Sequence, residues 1–418
     1  MPVNSNQYLQ GINQTTGTGV PSHSAVAGDR YTDTATGLTY QYTTSWQTVS
    51  YSAGGLTYFT EAQSTASPNN LVNVDSLTAV ASTTDADFSI IAKGTGAILA
   101  SIPNSIATVP NVGGNKRGQY ALDLQHFGQI NVGTEVASGN YSAIVAGNRN
   151  TASSAYDAVL NGFRNTATGG YGTILNGQLN TASGLYSFIG VGQSNTASST
   201  YSMVIGGYNN QSTGGYSISG GGSCTASGTR AVALGESNTA SGGYSSSLNS
   251  TNTASSDYSN ARGLSANTGT TWGKWVLGGG GATLGSSQKG LLVLTIRTTG
   301  NTPTELAFAS TAGADLRSQM TCADNMGMRV KGSIIGKQSG STNISAWDFD
   351  YVIVRGVGVG TTSVVVSNVN VVTNIPAWGT PTITADTAKG FASIKVTGAT
   401  TTNIQWTATI ESTEVIYA

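Results

Sequence analysis

The sequence is short of charge, of cysteine and of long apolar runs. Only 9% of its 418 residues are charged, 18 Lys and Arg against 19 Asp and Glu, for a net charge of -1. Globular chains carry about a quarter. No basic run supplies the phosphate-neutralising patch on which nucleic-acid affinity rests, so no nucleic acid is expected as a partner. The same scarcity argues against attraction to an anionic membrane surface. No stretch is long and apolar enough to span a bilayer, so no membrane insertion is expected. Two cysteines, Cys224 and Cys322, lie far apart in dissimilar contexts. They form neither a disulfide framework nor metal-ligand spacing, and both read as plain thiols. The opening residues MPVNSNQYLQGINQ lack a basic segment followed by an apolar core, so synthesis in the cytoplasm without a secretion signal is expected.

Glycine is abundant, with 56 residues, and hydroxyl and amide side chains must cover most of the surface. A chain of this length divides into roughly two to four structural units. The central unit announces itself by repetition. Tyr141, Tyr156, Tyr171, Tyr186, Tyr201 and Tyr216 are fifteen residues apart, as are Asn150, Asn165, Asn180, Asn195 and Asn210. Glycines at 147, 162, 177, 192, 207 and 222 keep the same step. After that the repeat is ragged, with Thr229 in place of tyrosine and small deletions before Tyr244 and Tyr258. One such unit cannot bury an apolar face alone and must stack on its copies.

Within a unit, β-branched residues (Ile144, Val159, Ile174, Ile189, Val204) alternate with polar ones, and a small residue follows eight places on (Ala152, Ala167, Ala182, Ala197). This suits short strands, with Gly and Asn at corners that need positive φ. Ile or Val then faces Ala across a thin interior, and the recurrent Asn forms a ladder of amides. Helix propensity is poor throughout. The expected result is a slender β-solenoid of eight or nine coils. Its tyrosine row is an exposed apolar stripe, which marks an interface. Burial against two neighbours in a fibre of identical chains makes a homotrimer the expected assembly.

On either side of the repeats the pattern differs. Residues 19–50 alternate Tyr, Leu and Val with polar residues around Thr36–Gly37, a β-hairpin pattern. From Lys289 onward come longer strand-like runs at the spacing of a β-sandwich or jelly roll. The organisation expected is 1–57 as a β attachment region, 58–136 as a small β module, 137–264 as solenoid, 265–288 as a glycine-rich neck, and 289–418 as a C-terminal β-sandwich head. The fold class is therefore all-β, an elongated fibre.

Four segments together resemble the fibre proteins of tailed bacteriophages. GVPSHSAVAGDRYTDTATGLTYQYTTSW, from Gly19, is similar to a short virion-associated segment. The stretch YFTEAQSTASPNNLVNV through GGNKRGQYALDLQ resembles the module that precedes solenoid repeats in phage tail fibres. The repeats are similar to the head repeats of trimeric adhesins. TTGNTPTEL, WDFDYVIVRG, ADTAKGFASIKVTG and IQWTATIESTEV resemble the terminal β-domain of phage fibres. The stretch FASTAGADLRSQMTCADNMGMRVKGSIIG departs from that pattern. The resemblance implies attachment to tail, baseplate or capsid proteins through the N-terminal part, with Tyr31, Asp33, Tyr40 and Trp46 at the attachment segment. It implies a virion location and a C-terminal domain that binds a host-surface glycan or protein. A virion decoration or baseplate spacer that meets no receptor is the alternative. A trimeric adhesin and a polysaccharide-degrading tailspike are lesser ones.

Catalytic constellations are hard to assemble from this sequence. Glycoside hydrolysis needs two carboxylates roughly 5 to 10 Å apart. Between Tyr141 and Tyr258 the acids are Asp157, Glu236 and Asp257, on different coils. No nucleophile neighbours His23 or His126. The expectation is a non-enzymatic chain without cofactor or metal. Trp378, in the proline- and glycine-flanked loop TNIPAWGTP, and the polar cluster Asp315, Arg317, Asp324 and Asn325 are the candidate receptor contacts, through ring stacking and hydroxyl or calcium binding respectively. In AWDFDYVIV, alternation places Trp347, Phe349, Tyr351 and Ile353 on a core face.

Overall fold

The computed structural model describes residues 7–9, 12–18, 21, 29–35, 39–42, 46–49, 59–64, 74–79, 97–99, 116–125, 134–281, 283–308, 319–376 and 378–417. Among these residues the structure is all-β, with a short 3-10 turn at Val359–Thr361. No helix of the described residues is long and apolar enough to cross a membrane. The chain forms two compact units, Met1–Ile90 and Ile91–Ala418.

The first unit contains a five-stranded sheet of Gln7–Leu9, Ile12–Gly17, Arg30–Asp33, Thr39–Tyr42 and Trp46–Val49 in chain order. All neighbours are antiparallel except the parallel pair Ile12–Gly17 and Arg30–Asp33. A separate antiparallel pair joins Phe59–Ser64 to Val74–Ala79.

The second unit begins as a β-solenoid. One of its sheets is a ladder of twelve parallel strands from Ile98–Leu99 to Trp275–Gly279, hence eleven steps. The facing sheet has eight two-residue strands from Thr151–Ala152 to Thr253–Ala254. The ladder exceeds the eight or nine coils expected because Ile98–Leu99 and Leu122–Asp123 join it before the fifteen-residue register starts and Trp275–Gly279 joins it after the repeats. Ile144, Val159, Ile174, Ile189 and Val204 face Ala152, Ala167, Ala182 and Ala197, and all are fully buried. Beyond Val204 the interior narrows to Cys224, Ala226, Ala231, Ala233 and Ala240, with Ser212 donating to Ser219 Oγ at 3.0 Å.

The repeat itself shortens. Val204 lies beside Ser219, fifteen residues on, but Gly207 lies beside Gly221, fourteen on, so one residue is lost between them. The next coils keep the step of fourteen: Ile218, Val232, Ser246 and Asn260 are in line. Gly222, counted above with the glycine row, is therefore next to Tyr208 instead. Corner geometry also differs from expectation. Positive φ falls on the tyrosines (54–62°) and on the residue before each ladder asparagine, such as Arg149, Arg164 and Leu179, as well as on the glycines. The asparagines themselves are free of that strain because their role is in the side chain.

Trp275–Gly279 then pairs antiparallel with Ser287–Thr298, and the same sheet continues through Ile404–Ile416, Met326–Gln338 and Ile344–Arg355 to Ser363–Ile375. A second sheet orders Thr304–Glu305, Phe391–Thr397 and Gly379–Asp386. Leu294, Val330, Ile334, Trp347, Phe349, Tyr351 and Trp406 from the first sheet pack with Ile383, Ile394 and Val396 from the second in one core. Residues 265–288 thus carry the last solenoid strand and the turn that opens the head. The solenoid sheet and the head sheet are one sheet.

Candidate interaction surfaces

The corner asparagines sit fully buried in a column. Nδ2 of Asn165, Asn180, Asn195 and Asn210 donates to Oδ1 of the asparagine one coil earlier at 3.2, 2.9, 3.1 and 3.1 Å. Each of these oxygens also accepts the next asparagine's backbone N–H, at 3.0 or 3.1 Å. Buried amides are costly unless paired, and here the side-chain Nδ2, the Oδ1 and the backbone N–H of each coil are satisfied by the repeat itself. Gln125 starts the column, accepting from Asn150 N at 2.7 Å. Cys224 interrupts it, and Asn238 and Asn252 resume it.

The tyrosines form a second column. Tyr120, Tyr141, Tyr156, Tyr171, Tyr186, Tyr201 and Tyr216 stack in sequence with centroids 4.7–5.0 Å apart. Left-handed backbone costs a non-glycine residue roughly 1–2 kcal/mol, and an aromatic pair returns about 0.5–1.5 kcal/mol. Ring faces are thus used within the chain, and the ring edges stay exposed. Arg230, not Thr229, takes the vacant tyrosine place. Its guanidinium lies 5.3 Å from the Tyr216 ring and 5.0 Å from the Tyr244 ring, and donates to Tyr244 OH. The fourteen-residue steps from 216 to 230 to 244 carried that signal, which a search for fifteen misses.

The two outer faces of the solenoid differ in chemistry. On the longer-stranded sheet, Val145, Leu160, Leu175, Ile205 and Leu277 stand exposed in one row. On the facing sheet the outward row is Thr151, Thr166, Thr181, Thr196, Gln211, Thr225, Thr239 and Thr253. One face is mostly apolar, with exposed Arg262 in the same row between Leu248 and Leu277, and the other is mostly hydroxyl-covered. Near the head, Trp275, Leu291, Val293, Phe308 and Ile410 line an open groove of about 460 Å³, bordered by Glu411, which pairs with Lys289 at 2.9 Å.

The candidate receptor residues are not gathered at one place. Trp378 is 5% exposed and packs edge-on against Trp406 at 5.4 Å, so its ring is core and offers no stacking surface. Proline and glycine in its loop fold it inward, where Asn374 binds its backbone N–H and C=O at 2.9 and 3.0 Å. Asp324 holds Arg355 Nη2 at 2.7 Å and the Gly358 N–H at 3.0 Å, which ties two loops together and occupies the carboxylate. Asn325 sits at positive φ (56°) and donates its backbone N–H to Gly356 O at 3.2 Å. Asp315 and Arg317 lie outside the described residues. Among the described residues there is no cluster of three His, Cys, Asp or Glu fit for a metal. In the attachment segment Tyr31 and Asp33 are buried, and Asp33 accepts the Ala35 N–H at 3.0 Å. Tyr40 and Trp46 lie on paired strands, and their side chains are outside the described residues.

Burial or pairing perturbs several titratable groups, among them Asp157, Cys322 and Asp350. Burial pushes the Asp157 carboxyl above its usual range, against the backbone N–H groups of Gly172 and Ser154 that bond it at 2.9 and 2.8 Å. Burial likewise pushes the Cys322 thiol up to about 12, so it stays protonated; both cysteines are buried and free. The Arg329 guanidinium beside Asp350 holds that carboxyl below its usual range.

No family model and no curated protein matches the chain. Among solved structures it is similar to tailspike protein gp49 from Acinetobacter baumannii bacteriophage Fri1, a capsular polysaccharide depolymerase, at 10% identity and a TM-score of 0.22. The match covers 71% of this chain and 55% of that one, so the chain spans about half the length of the structure it matches. The expectation of a non-enzymatic chain is corrected on this finding, because the matched protein is described as an enzyme. The carboxylate argument behind it counted only the acids of the coils, and a site elsewhere escapes such a count. A likeness this slight gives the chain no activity of its own.

Proposed function

We propose that the chain is a fibre protein of a tailed bacteriophage that binds a host-surface receptor, a glycan, through residues 289–418. In this reading residues 1–57 join other virion proteins, the coils are a rigid spacer, and three copies associate in register on the apolar solenoid face. The observation that carries the proposal is the unbroken sheet that passes from the coils into the two-sheet head. Each strand step contributes about 4.8 Å, so eleven steps hold the head roughly 50 Å from the first coil. Low charge suits a particle component that must avoid adsorbing to everything it meets. Three weakly binding heads gain avidity because the second and third contacts form at high local concentration.

The test is a phage particle whose copy of the chain lacks residues 286–418. Intact particles that no longer adsorb to host cells support the reading. Unchanged adsorption overturns it and leaves a structural virion component. Incubating the purified full chain with host polysaccharide and assaying new reducing ends separates binding from depolymerisation.

A further inference from the structure

Among the described residues, Ser363–Ile375 has a strand register with Ile344–Arg355 alone. Its thirteen residues, SVVVSNVNVVTNI, include no charge and no proline. Val365, Val366, Val371, Val372 and Ile375 are 48–71% exposed. The register skips Val365 and Val372, which bulge the strand, and Val366 and Val371, paired with Val352 and Trp347, place apolar side chains on opposite faces. Strands apolar on both faces are ones that proteins bury on both, and edges left open are blunted by lysine, proline, bulges or a covering element. Even the strands of the same sheet that are paired on both sides carry charge on their outer side, with Lys289, Arg329, Lys331, Lys337, Asp348 and Glu411 exposed. The edge strand has its two bulges but no charge and no proline.

We propose that Ser363–Ile375 is buried against the head of a second copy of this chain. The inference rests on the in-register association of the preceding subsection, which brings identical heads to one level and makes another head the neighbour of this strand. Neutrality suits that partner, because like charges brought together in paired strands repel and this strand has none. A contact between different patches of identical subunits closes into a ring when the rotation allows. That is the arrangement an edge strand lying on the next head would produce.

The experiment uses the full chain with Val365→Lys and Val372→Lys together, both at positions exposed in the single chain. Sedimentation equilibrium is expected to show association at least tenfold weaker, with unchanged circular dichroism. Hydrogen exchange of the backbone amides of 363–375 is expected to be at least tenfold slower in the wild-type assembly than in the variant. Val365→Ile with Val372→Ile should behave as wild type. A monomeric wild type, equal association of wild type and the lysine variant, or edge amides that exchange alike in both each overturn the inference. If the wild-type chain associates as described but fails to adsorb to host cells, the receptor reading falls and this one stands.

Discussion

Lys274 Nζ lies 2.7 Å from Glu414 Oε1 and 2.8 Å from Oε2, although 140 residues separate them in the chain. Both are buried. Lys274 immediately precedes the last solenoid strand, and Glu414 is on the last strand of the head. Gln288 Nε2 donates to the same carboxylate at 2.6 Å, and Ser412 Oγ donates to its other oxygen. Gly290 covers this group, and a Cβ there would run into Ser412, Glu414 and Lys274. The contact fixes where the coils stop and the head begins.

Removing one partner of such a pair leaves a buried charge uncompensated, at a cost of about 3–5 kcal/mol. Lys274→Ala is expected to lose that much stability in denaturant unfolding followed by Trp fluorescence. Replacing both partners, Lys274→Met with Glu414→Leu, should recover most of it, since an apolar pair carries no desolvation cost. A double variant as unstable as the single one would mean that the pair's hydrogen-bonding neighbours, not its charge, hold the junction.

Cys224 occupies a ladder position between Asn210 and Asn238. Its N–H reaches Asn210 Oδ1 at 3.0 Å, but it offers no amide to the column: Asn238 Nδ2 is 3.9 Å from Sγ and donates instead to Leu234 O and Asn249 O, both at 2.8 Å. Cys224→Asn restores the amide step made at Asn195 and Asn210, with a net gain of roughly 1–2 kcal/mol. Differential scanning calorimetry should show a higher Tm. The reverse change, Asn180→Ala, strands the Asn195 N–H and should cost about 3 kcal/mol from its unpaired groups.

Much of this was legible in the sequence, because a repeat states its own register. Ile174 and Ala182 recur at fixed places, so strand, interior and coil follow from spacing alone. Legibility failed where the repeat changed its step. The bulge between Val204 and Gly207 is one residue that nothing local announces, and it hides Arg230 in the tyrosine column. It failed also at Trp378, where loop composition says nothing about which way a ring folds. The apolar row from Val145 to Leu277 went unnoticed beside the more conspicuous tyrosines, since a surface is a property of the stacked coils, not of one unit.

Asp157 is the place where the stability of the coils should respond to acid. Other coils put serine there, such as Ser142, Ser187 and Ser202, whereas Asp157 is buried beside Gly172. Its folded-state pKa is raised above the unfolded value of about 3.9 by burial, so the folded state binds more protons. Stability therefore falls as pH rises through the window from that value to the raised one. Asp157→Asn removes the titration and keeps an acceptor oxygen for one of the Gly172 and Ser154 N–H groups, which bond different carboxylate oxygens in the wild type. Urea midpoints measured from pH 3 to 7 should decline for the wild type relative to the variant. Parallel curves would show that the two backbone hydrogen bonds offset burial completely.

The two faces of the solenoid give the sharpest test of assembly. Leu160 and Leu175 project from adjacent coils on the apolar face, and Thr166 and Thr181 project from the facing sheet. Lysine at either pair changes net charge by the same amount, so general repulsion is matched. If copies associate on the apolar face, Leu160→Lys with Leu175→Lys desolvates two ammonium groups in the contact and should dissociate the assembly to monomers. Thr166→Lys with Thr181→Lys leaves those charges in water and should sediment as the wild type. Equal sedimentation of the two variants would place the contact on neither face and return the exposed edges of the tyrosine column, Tyr141 to Tyr216, as the surface to be mutated next.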